Sequence, residues 1–370
     1  MQIAQDRFQQ FLTERCVSMK TIKLGIIGYG FMGQWHRNHA GTLKEVEILA
    51  VCDTDPAKLE KAPRDVKTFT DYQELLKQDE IEWVVICVPN HLHCQIAVDA
   101  ADAGKNLIVE KPCALNVEEF DRISQAAKRN NVLFTVDQNR RWDRDYAIAK
   151  KTYMEGTLGK VFMIKSSHYG VFGRMHDWHE FKEYGGGMLY DWGVHLIDQM
   201  LDLVPEKITQ IFADMKCAVN QEVDDYFRIL LRFESGLTAE IELGTFLLAP
   251  MPRWYMSGDK GTLVVEQIKA DKGAVYRAGD FRAALPEQAE NIDAGPTRTF
   301  SVKASDVVHT EKMPEVDLTY NDWNDFFRNL IGVVNHTEEM AVKPEQVRRV
   351  LQVMEAARES AACGRSVDFE

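Results

Sequence analysis

The sequence predicts an α/β protein: an N-terminal doubly wound parallel sheet of the Rossmann type, then an α+β domain with a large open mixed or antiparallel sheet. Two observations predict the first part, namely a GxGxxG segment between a strand and a helix, and the alternation of short apolar strands with helices. A third predicts the second part, because from Lys160 onwards apolar and polar residues alternate as in strands joined by hairpins.

The chain is long enough for two domains. It has 370 residues, and single domains usually have roughly 100–200. We expect an N-terminal arm at 1–19, a dinucleotide-binding domain at 20–140 and a substrate-binding and oligomerisation domain at 141–370, with a helix at 344–362 that packs back near the first domain. The first 18 residues form an amphipathic pattern. They are either an optional arm or a misassigned start before Met19, and both alternatives stay open.

Composition excludes several functions. The net charge is −13, which disfavours binding to nucleic acid or to an anionic membrane, since such contacts need clustered Lys and Arg. We see no apolar run of about 18 residues and no apolar core of a signal peptide near the N-terminus. The seven cysteines form no CxxC pair, which favours reduced thiols in a cytoplasmic protein over a disulfide framework.

A glycine-rich cofactor fingerprint follows the first predicted strand, at 22–27, and opens the first helix, at 34–43. The first glycine permits a tight turn, the second lets the backbone approach a pyrophosphate, and the third lets helix and strand pack closely. The helix N-terminus then presents N–H groups to the phosphates. The residues expected to contact the cofactor here are Gly28, Gly30, Phe31, Met32 and Gly33.

Asp53 ends the second predicted strand, at 47–52, twenty residues after Gly33. A carboxylate at this position can accept hydrogen bonds from the adenosine ribose and would repel a 2′-phosphate. NAD is therefore favoured over NADP. Alternatively, Asp53 only starts the turn at 53–56.

The alternation continues with helices at 71–77, 91–103 and 117–129 and with strands at 83–88, 106–109 and 132–136. Ligands of such sheets bind beyond the carboxyl ends of the strands, so further cofactor contacts are expected from Pro89, Asn90, Glu110 and Lys111. Beyond Lys160, strands are predicted at 161–167, 208–215, 225–233, 238–247, 253–257 and 261–266. A long loop with broken strands is predicted at 269–296, and a helix at 320–335.

Four segments carry a resemblance to a known family. They are GYGFMG at 28–33, VPNHLH at 88–93, EKP at 110–112 and DWGVHLID at 191–198. From about Lys20 to the C-terminus the chain resembles the Gfo/Idh/MocA family, named for glucose–fructose oxidoreductase and inositol dehydrogenase. The resemblance implies the two domains above, an open sheet that often forms an oligomer interface, and hence a homodimer or homotetramer. It also places His93 near the cofactor loop.

The catalytic candidates are Lys111, Asp191 and His195. If residues 191–203 form a helix, Asp191 and His195 share one face, one turn apart. The resemblance implies that His195 is the general acid/base, that Lys111 contacts the substrate oxygen and the nicotinamide, and that Asp191 contacts substrate hydroxyls. A Lys ammonium beside the reacting oxygen would stabilise a developing alkoxide. Asp198 is expected to be structural.

Weaker candidates for the substrate pocket follow the last Rossmann strand and lie in an aromatic stretch of the second domain. They are Arg141, His168, His176 and Trp178. Arg141 could equally form an interdomain salt bridge. No catalytic metal is expected, because neither HExxH nor CxxC occurs. The histidine pairs that were weighed are His36 with His39, His91 with His93, and His176 with His179.

These observations predict an NAD-dependent oxidoreductase that moves a hydride between the nicotinamide and a secondary alcohol or ketone of a sugar, glycoside or inositol-like polyol. Alternatively, the same fold would hold NAD tightly and recycle it within one turnover. A third reading, a non-catalytic dinucleotide-binding regulator, is disfavoured because Lys111, Asp191 and His195 are all present.

Overall fold

The computed structural model describes residues 19–170, 175–279, 307–318 and 324–370. The predicted amphipathic segment at 1–18 lies outside the described residues, as do most of the predicted loop at 269–296 and the first residues of the helix predicted at 320–335. None of the described helices is long and apolar enough to cross a membrane. The described cysteines are free.

The first sheet has six parallel strands in the order β3-β2-β1-β4-β5-β6. This is the order of a dinucleotide-binding Rossmann sheet. The predicted N-terminal fold class is therefore confirmed. Its strands are β1 Ile22–Ile27, β2 Val46–Cys52, β3 Lys67–Phe69, β4 Trp83–Ile86, β5 Asn106–Val109 and β6 Phe134–Val136.

Helices cover both faces of this sheet, which is why its strands are continuous apolar runs. The helices up to the second domain are α1 Phe31–Ala40, α2 Pro56–Leu59, α3 Tyr72–Leu76, α4 His93–Asp102, α5 Val117–Arg129 and α6 Arg144–Met154. A short 3₁₀ turn, Asn139–Trp142, carries the chain from β6 to α6.

The second sheet has nine strands in the order β14-β13-β12-β11-β7-β10-β9-β8-β15. Among the strands that the structure describes, only the β7–β10 pair of this sheet is parallel, so the sheet is mixed, as predicted. Strand β13 lies inside the segment 269–296 that was predicted to be a loop with broken strands, and β14 follows that segment. A short, exposed edge strand such as β14 has too little apolar alternation to be recognised. The strands are β7 Val161–Tyr169, β8 Ile208–Lys216, β9 Tyr226–Phe233, β10 Thr238–Gly244, β11 Trp254–Gly258, β12 Gly261–Val265, β13 Gly273–Ala278, β14 Val308–Glu311 and β15 Val367–Asp368.

One predicted helix begins differently from the expectation. Instead of an α-helix from Asp191, the chain forms a π-helical segment, Leu189–Gly193, which continues into α7, Val194–Leu203. A π-turn widens the helix locally and is frequent at functional sites. Asp191 thus lies in the π-turn and His195 in the first turn of α7.

The C-terminal helices, α8 Asn324–Val334 and α9 Pro344–Cys363, contact both parts of the molecule. Phe326 and Phe327 of α8 join a core cluster with Ile22 and Trp83 of the first sheet. Helix α9 packs on β8 and α7 and also reaches α5. Helix α8 therefore packs on the first sheet, and α9 connects elements of both parts of the molecule.

Candidate active site

The glycine-rich loop between β1 and α1 has the geometry that a dinucleotide needs. Gly28 has φ +90°, and a Cβ there would collide with the main-chain oxygen of Cys87. A Cβ on Gly33 would collide with the main-chain oxygen of Gly28. By contrast, no heavy atom of the described residues lies within 4 Å of a Cβ built on Gly30. The loop therefore leaves a close backbone approach at its second glycine, which fits a bound pyrophosphate.

Helix α1 starts beside this loop with no acidic residue in its first turn. Its N-terminal N–H groups can thus face an anion. Phe31, the first helical residue, is 81% exposed, and Met32 is half-buried. Both residues lie where the sequence placed them, at the mouth of the cofactor loop.

Asp53 follows β2 and is buried. One carboxylate oxygen accepts a hydrogen bond from the main-chain N–H of Tyr29 at 2.8 Å, and the other accepts one from Asp55 at 3.0 Å. The ammonium of Lys58 lies 3.3 Å from Asp53. Asp53 therefore anchors the glycine loop and also starts the turn after β2, which is the alternative role weighed from the sequence. Its contact with the adenosine ribose stays a prediction.

The residues after β4 are tied to other loops. The side-chain amide of Asn90 donates to the main-chain oxygen of Gly185 at 2.8 Å, which links the first domain to the glycine-rich segment of the second. Pro89 precedes it and is half-buried. Both ring nitrogens of the buried His93 lie 2.8 Å from main-chain oxygens, one of Pro112 and one of Val88. His93 thereby joins the ends of β4 and β5.

Glu110 ends β5 and points into the interior. Its carboxylate lies 2.7 Å from Nε2 of the fully buried His36, and it accepts a hydrogen bond from the main-chain N–H of Lys111 at 3.1 Å. Burial raises the pKa of Glu110, but His36 and Lys111 outweigh this and lower it overall. Glu110 thus shapes the loop that presents Lys111.

Lys111 and Asp191 form the centre of the site. The Lys111 ammonium lies 2.7 Å from the Asp191 carboxylate and donates to the Asp191 main-chain oxygen at 2.8 Å. The side chains are 20% and 27% exposed, so that a ligand can reach them. Burial raises the pKa of the Asp191 carboxyl, but the Lys111 charge and hydrogen bond outweigh burial and hold this pKa below its usual value. The Lys111–Pro112 peptide is cis.

His195 lies beside this pair and is buried, with 5% exposed. Its Nδ1 is 3.0 Å from the amide oxygen of Gln138. Burial lowers the pKa of His195 well below 6.5, and the positive charges of Lys111, Arg140 and Arg253 lower it further. The imidazole is therefore neutral at physiological pH and can accept a proton.

The indole of Trp192 covers one side of the site. His168 stacks on it with ring centroids 4.0 Å apart, and the Arg140 guanidinium lies 4.2 Å from its ring centroid. Burial, followed by the charges of Arg253 and Arg140, lowers the pKa of His168 to about 3. His168 is thus a neutral polar group within the same cluster as His195.

His176 and Trp178 lie in a short segment before the glycine-rich turn. The rings of Trp178 and His179 stack at 3.7 Å, and His176 lies 5.7 Å from His179. Burial lowers the pKa of His179, on which the charges of Asp191 and Lys111 also act. His179 therefore places this aromatic segment near the Lys111–Asp191 pair.

Arg141 is placed differently from these residues. Its guanidinium forms a bidentate pair with Asp198, with both distances 2.7 Å, and donates to Ala341 and Gln346 of the C-terminal region. The side chain is 6% exposed. Arg141 therefore makes a buried salt bridge, but its partner Asp198 lies with it inside the predicted second domain, 141–370, so that the pair is not interdomain by these bounds. A role of Arg141 in substrate binding stays a prediction.

Three residues of the site were not among the sequence candidates. Arg140 lies beside Trp192 and precedes Arg141, which was the predicted pocket residue. Two consecutive arginines in a sequence do not show which one faces the site. His179 was weighed only as half of a metal pair. Gln138 carried no signal except its position just after a parallel strand.

A cluster of possible metal ligands includes Glu110, the residue before Lys111. Donor atoms of His36, Cys87 and Glu110 lie within 4.8 Å of one another. This cluster is not one of the three histidine pairs that were considered from the sequence. The 2.7 Å separation of His36 and Glu110 is that of a direct hydrogen bond, which accounts for their proximity.

Comparison with known proteins identifies the class to which this fold and site belong. The family model described as the oxidoreductase family with an NAD-binding Rossmann fold matches residues 22–138, and the Gfo/Idh/MocA C-terminal domain model matches residues 146–264. The chain belongs to the Gfo/Idh/MocA oxidoreductase family.

Characterised relatives include inositol dehydrogenases. The chain is 28% identical to the scyllo-inositol 2-dehydrogenase (NADP(+)) IolW of Bacillus subtilis, over 95% of this chain and 96% of the relative. It is 25% identical to the myo-inositol 2-dehydrogenase of Thermotoga maritima, over 60% and 68%. Among solved structures, an NAD-binding protein from Listeria innocua is 33% identical with a TM-score of 0.82, covering 94% of this chain and 97% of that one.

Proposed function

We propose that this protein is a dehydrogenase that oxidises a secondary alcohol of a sugar, glycoside or inositol-like polyol, or reduces the corresponding ketone. The observation that carries the proposal is the Lys111–Asp191 pair beside a buried, neutral His195. The inositol dehydrogenases among the relatives support the substrate class.

The proposed roles follow from the charges of the site. When bound, the nicotinamide supplies or accepts the hydride. His195 takes the hydroxyl proton in oxidation and returns it in reduction. The Lys111 ammonium stabilises the negative charge that develops on the reacting oxygen, and Asp191 holds that ammonium in place. Trp178 and His176 would line the pocket, where an aromatic face can cover the apolar side of a sugar ring.

We propose that NAD is preferred over NADP. The buried Asp53 carboxylate lies at the end of β2, where it would meet the adenosine ribose and repel a 2′-phosphate. The NADP(+)-dependent relative shows that the family also uses the phosphorylated cofactor. Lys58, 3.3 Å from Asp53, reduces the negative charge at this position, and the ratio of the NAD and NADP affinities measures the preference.

We propose the division into a cofactor domain at 20–140 and a substrate domain at 141–370, and association through the open face of the second sheet. On that sheet Phe212 and Tyr276 alternate with buried neighbours and are 36% and 39% exposed. Such a face favours a homodimer or homotetramer. Sedimentation equilibrium of the purified protein distinguishes these from a monomer, which would contradict the proposal.

The dehydrogenase proposal is tested by NADH absorbance at saturating NAD with a panel of inositols, aldoses and glycosides. Sustained NADH formation with one compound supports it and names the substrate class. If the protein binds dinucleotide and converts a substrate without net NADH formation, the recycled-cofactor alternative is the better account.

A further inference from the structure

Gln138 faces the imidazole of His195 from the first domain. Its amide oxygen is 3.0 Å from Nδ1 of His195, and both side chains are buried. In a neutral imidazole only one of the two nitrogens bears a proton. The hydrogen bond made by one nitrogen decides the protonation of the other. The partner of Nδ1 therefore decides what Nε2 can do.

Hydrogen bonds fix the backbone on both sides of this contact. The N–H of Gln138 donates to Val136 at 2.8 Å, and its main-chain oxygen accepts from Arg141 at 3.1 Å. Gln199, one turn after His195 on α7, donates to the main-chain oxygen of Arg140 at 2.6 Å. The end of β6 and the start of α7 are thus tied together next to the Gln138–His195 contact.

We propose that Gln138 is a positioning residue that keeps a proton on Nδ1 of His195, so that Nε2 is the nitrogen that exchanges a proton with the substrate. This inference rests on the proposed function. An amide oxygen accepts Nδ1–H from imidazole and from imidazolium alike. The contact therefore persists while Nε2 gains and loses its proton.

A neutral partner also suits the charges around the ring. A carboxylate facing Nδ1 would stabilise the imidazolium, as Asp does in a Ser-His-Asp triad. Here burial and the charges of Lys111, Arg140 and Arg253 favour the neutral ring, and an amide does not oppose them. His195 is thus kept as a base for alcohol oxidation at neutral pH.

The tautomer can be read directly by ¹⁵N NMR of the whole protein labelled at histidine. The His195 signals are assigned by their loss in His195→Gln. We expect a protonated Nδ1 and an unprotonated Nε2 at neutral pH, without any substrate. A protonated Nε2 in the wild-type protein would overturn the proposal whatever the activity.

Two variants test the functional part, Gln138→Glu and Gln138→Leu, with Gln267→Glu in an exposed turn as a control for added charge. In Gln138→Glu the acidic limb of kcat/KM for oxidation should move to higher pH by about 1–3 units. In Gln138→Leu, which keeps the site apolar and packed, kcat should fall about tenfold to 10²-fold with NAD affinity unchanged.

The outcomes separate this inference from the proposed function. If the pH profile of Gln138→Glu coincides with those of wild type and Gln267→Glu, Gln138 does not act on His195. If NMR shows the Nδ1–H tautomer but no polyol or sugar is oxidised, the tautomer assignment stands and the proposed function is contradicted.

Discussion

The Lys111 ammonium lies 2.7 Å from the Asp191 carboxylate and 2.8 Å from the Asp191 main-chain oxygen. Lys111 follows β5 of the first sheet, and Asp191 belongs to the π-helical segment that precedes α7. One side chain thus bridges the two parts of the molecule at the proposed reaction centre. The placement of the ammonium therefore depends on how the two parts pack, and the contacts around it are open to mutational tests.

Arg141→Met should lower the free energy of unfolding of the protein. We do not expect it to impair the catalytic step specifically. The variant leaves the Asp198 carboxylate, 1% exposed, without its bidentate partner. Breaking a buried pair in this way costs about 3–5 kcal/mol. The free energy of unfolding from denaturant titration measures the loss.

The control for this prediction is Arg129→Met, which breaks a pair with Asp102 in which both side chains are about half exposed. Exposed pairs contribute about 0–1 kcal/mol. Equal losses in the two variants would show that the buried Arg141–Asp198 pair contributes no more to stability than an exposed pair.

Arg140 and Arg141 show why the sequence alone did not identify the arginine at the site. Arg140 and Arg141 both follow the last parallel strand, where ligand contacts are expected. Which one faces the site depends on the 3₁₀ turn Asn139–Trp142, in which Arg140 pairs locally with Asp143 and Arg141 makes a tertiary pair with Asp198. A pattern of neighbouring residues therefore does not predict which of the two arginines faces the site.

His168→Gln should make the protein less sensitive to acid. The pKa of His168 in the folded protein is about 3, below the 6.5 of a free histidine. Between these values the unfolded chain binds a proton that the folded state excludes, so stability falls as pH decreases through 6.5. The loss is ~1.4 kcal/mol per pH unit for one such group.

The free energy of unfolding is measured between pH 6.5 and 4.5 for wild type, His168→Gln and His309→Gln, an exposed control. The decrease on acidification should be smaller in His168→Gln only. An identical decrease in all three proteins would mean that His168 is protonated in the folded state over this range.

Asp53→Ser should weaken NAD binding about tenfold, which corresponds to losing a hydrogen bond to a charged group. Binding of NADP should weaken less or improve, because the repulsion of a 2′-phosphate is removed. Calorimetric titration of both cofactors gives the ratio without any substrate. Asp65→Ser, at an exposed position, is the matched control. An unchanged ratio of the two affinities would show that Asp53 does not contact the ribose.

The sequence predicted those parts of the fold that depend on local pattern. The parallel strands other than β3 are mainly apolar, are closely followed by glycine, proline or a charged residue, and lead into a helix, so that short segments predict the order of these elements. Strand β3, Lys67–Phe69, has no apolar run and was not predicted. Helix α5 lies at the predicted residues, 117–129. The exposed strand β14 and the π-turn of Asp191 have no such pattern and were missed.

The site was predictable where a motif fixed the position along the chain. Lys111, Asp191 and His195 come together as expected. Gln138 and His179 were not found, because their relevance arises from packing between distant segments: Gln138 is 57 residues from His195. The expected cofactor contact of Glu110 stays a prediction, and its contact with His36, 74 residues away, was not foreseen. Contacts over such separations follow from the tertiary structure alone.

The most direct test of the account is the turnover of His195→Ala with the polyol or sugar that supports NADH formation, beside wild type and His309→Ala. Loss of a general acid/base should lower kcat by roughly 10²–10⁴-fold, with NAD affinity and the melting temperature close to those of wild type. The His309→Ala control should retain full turnover. A His195→Ala enzyme with near-normal kcat would contradict the assignment of His195, and with it the proposed reaction centre.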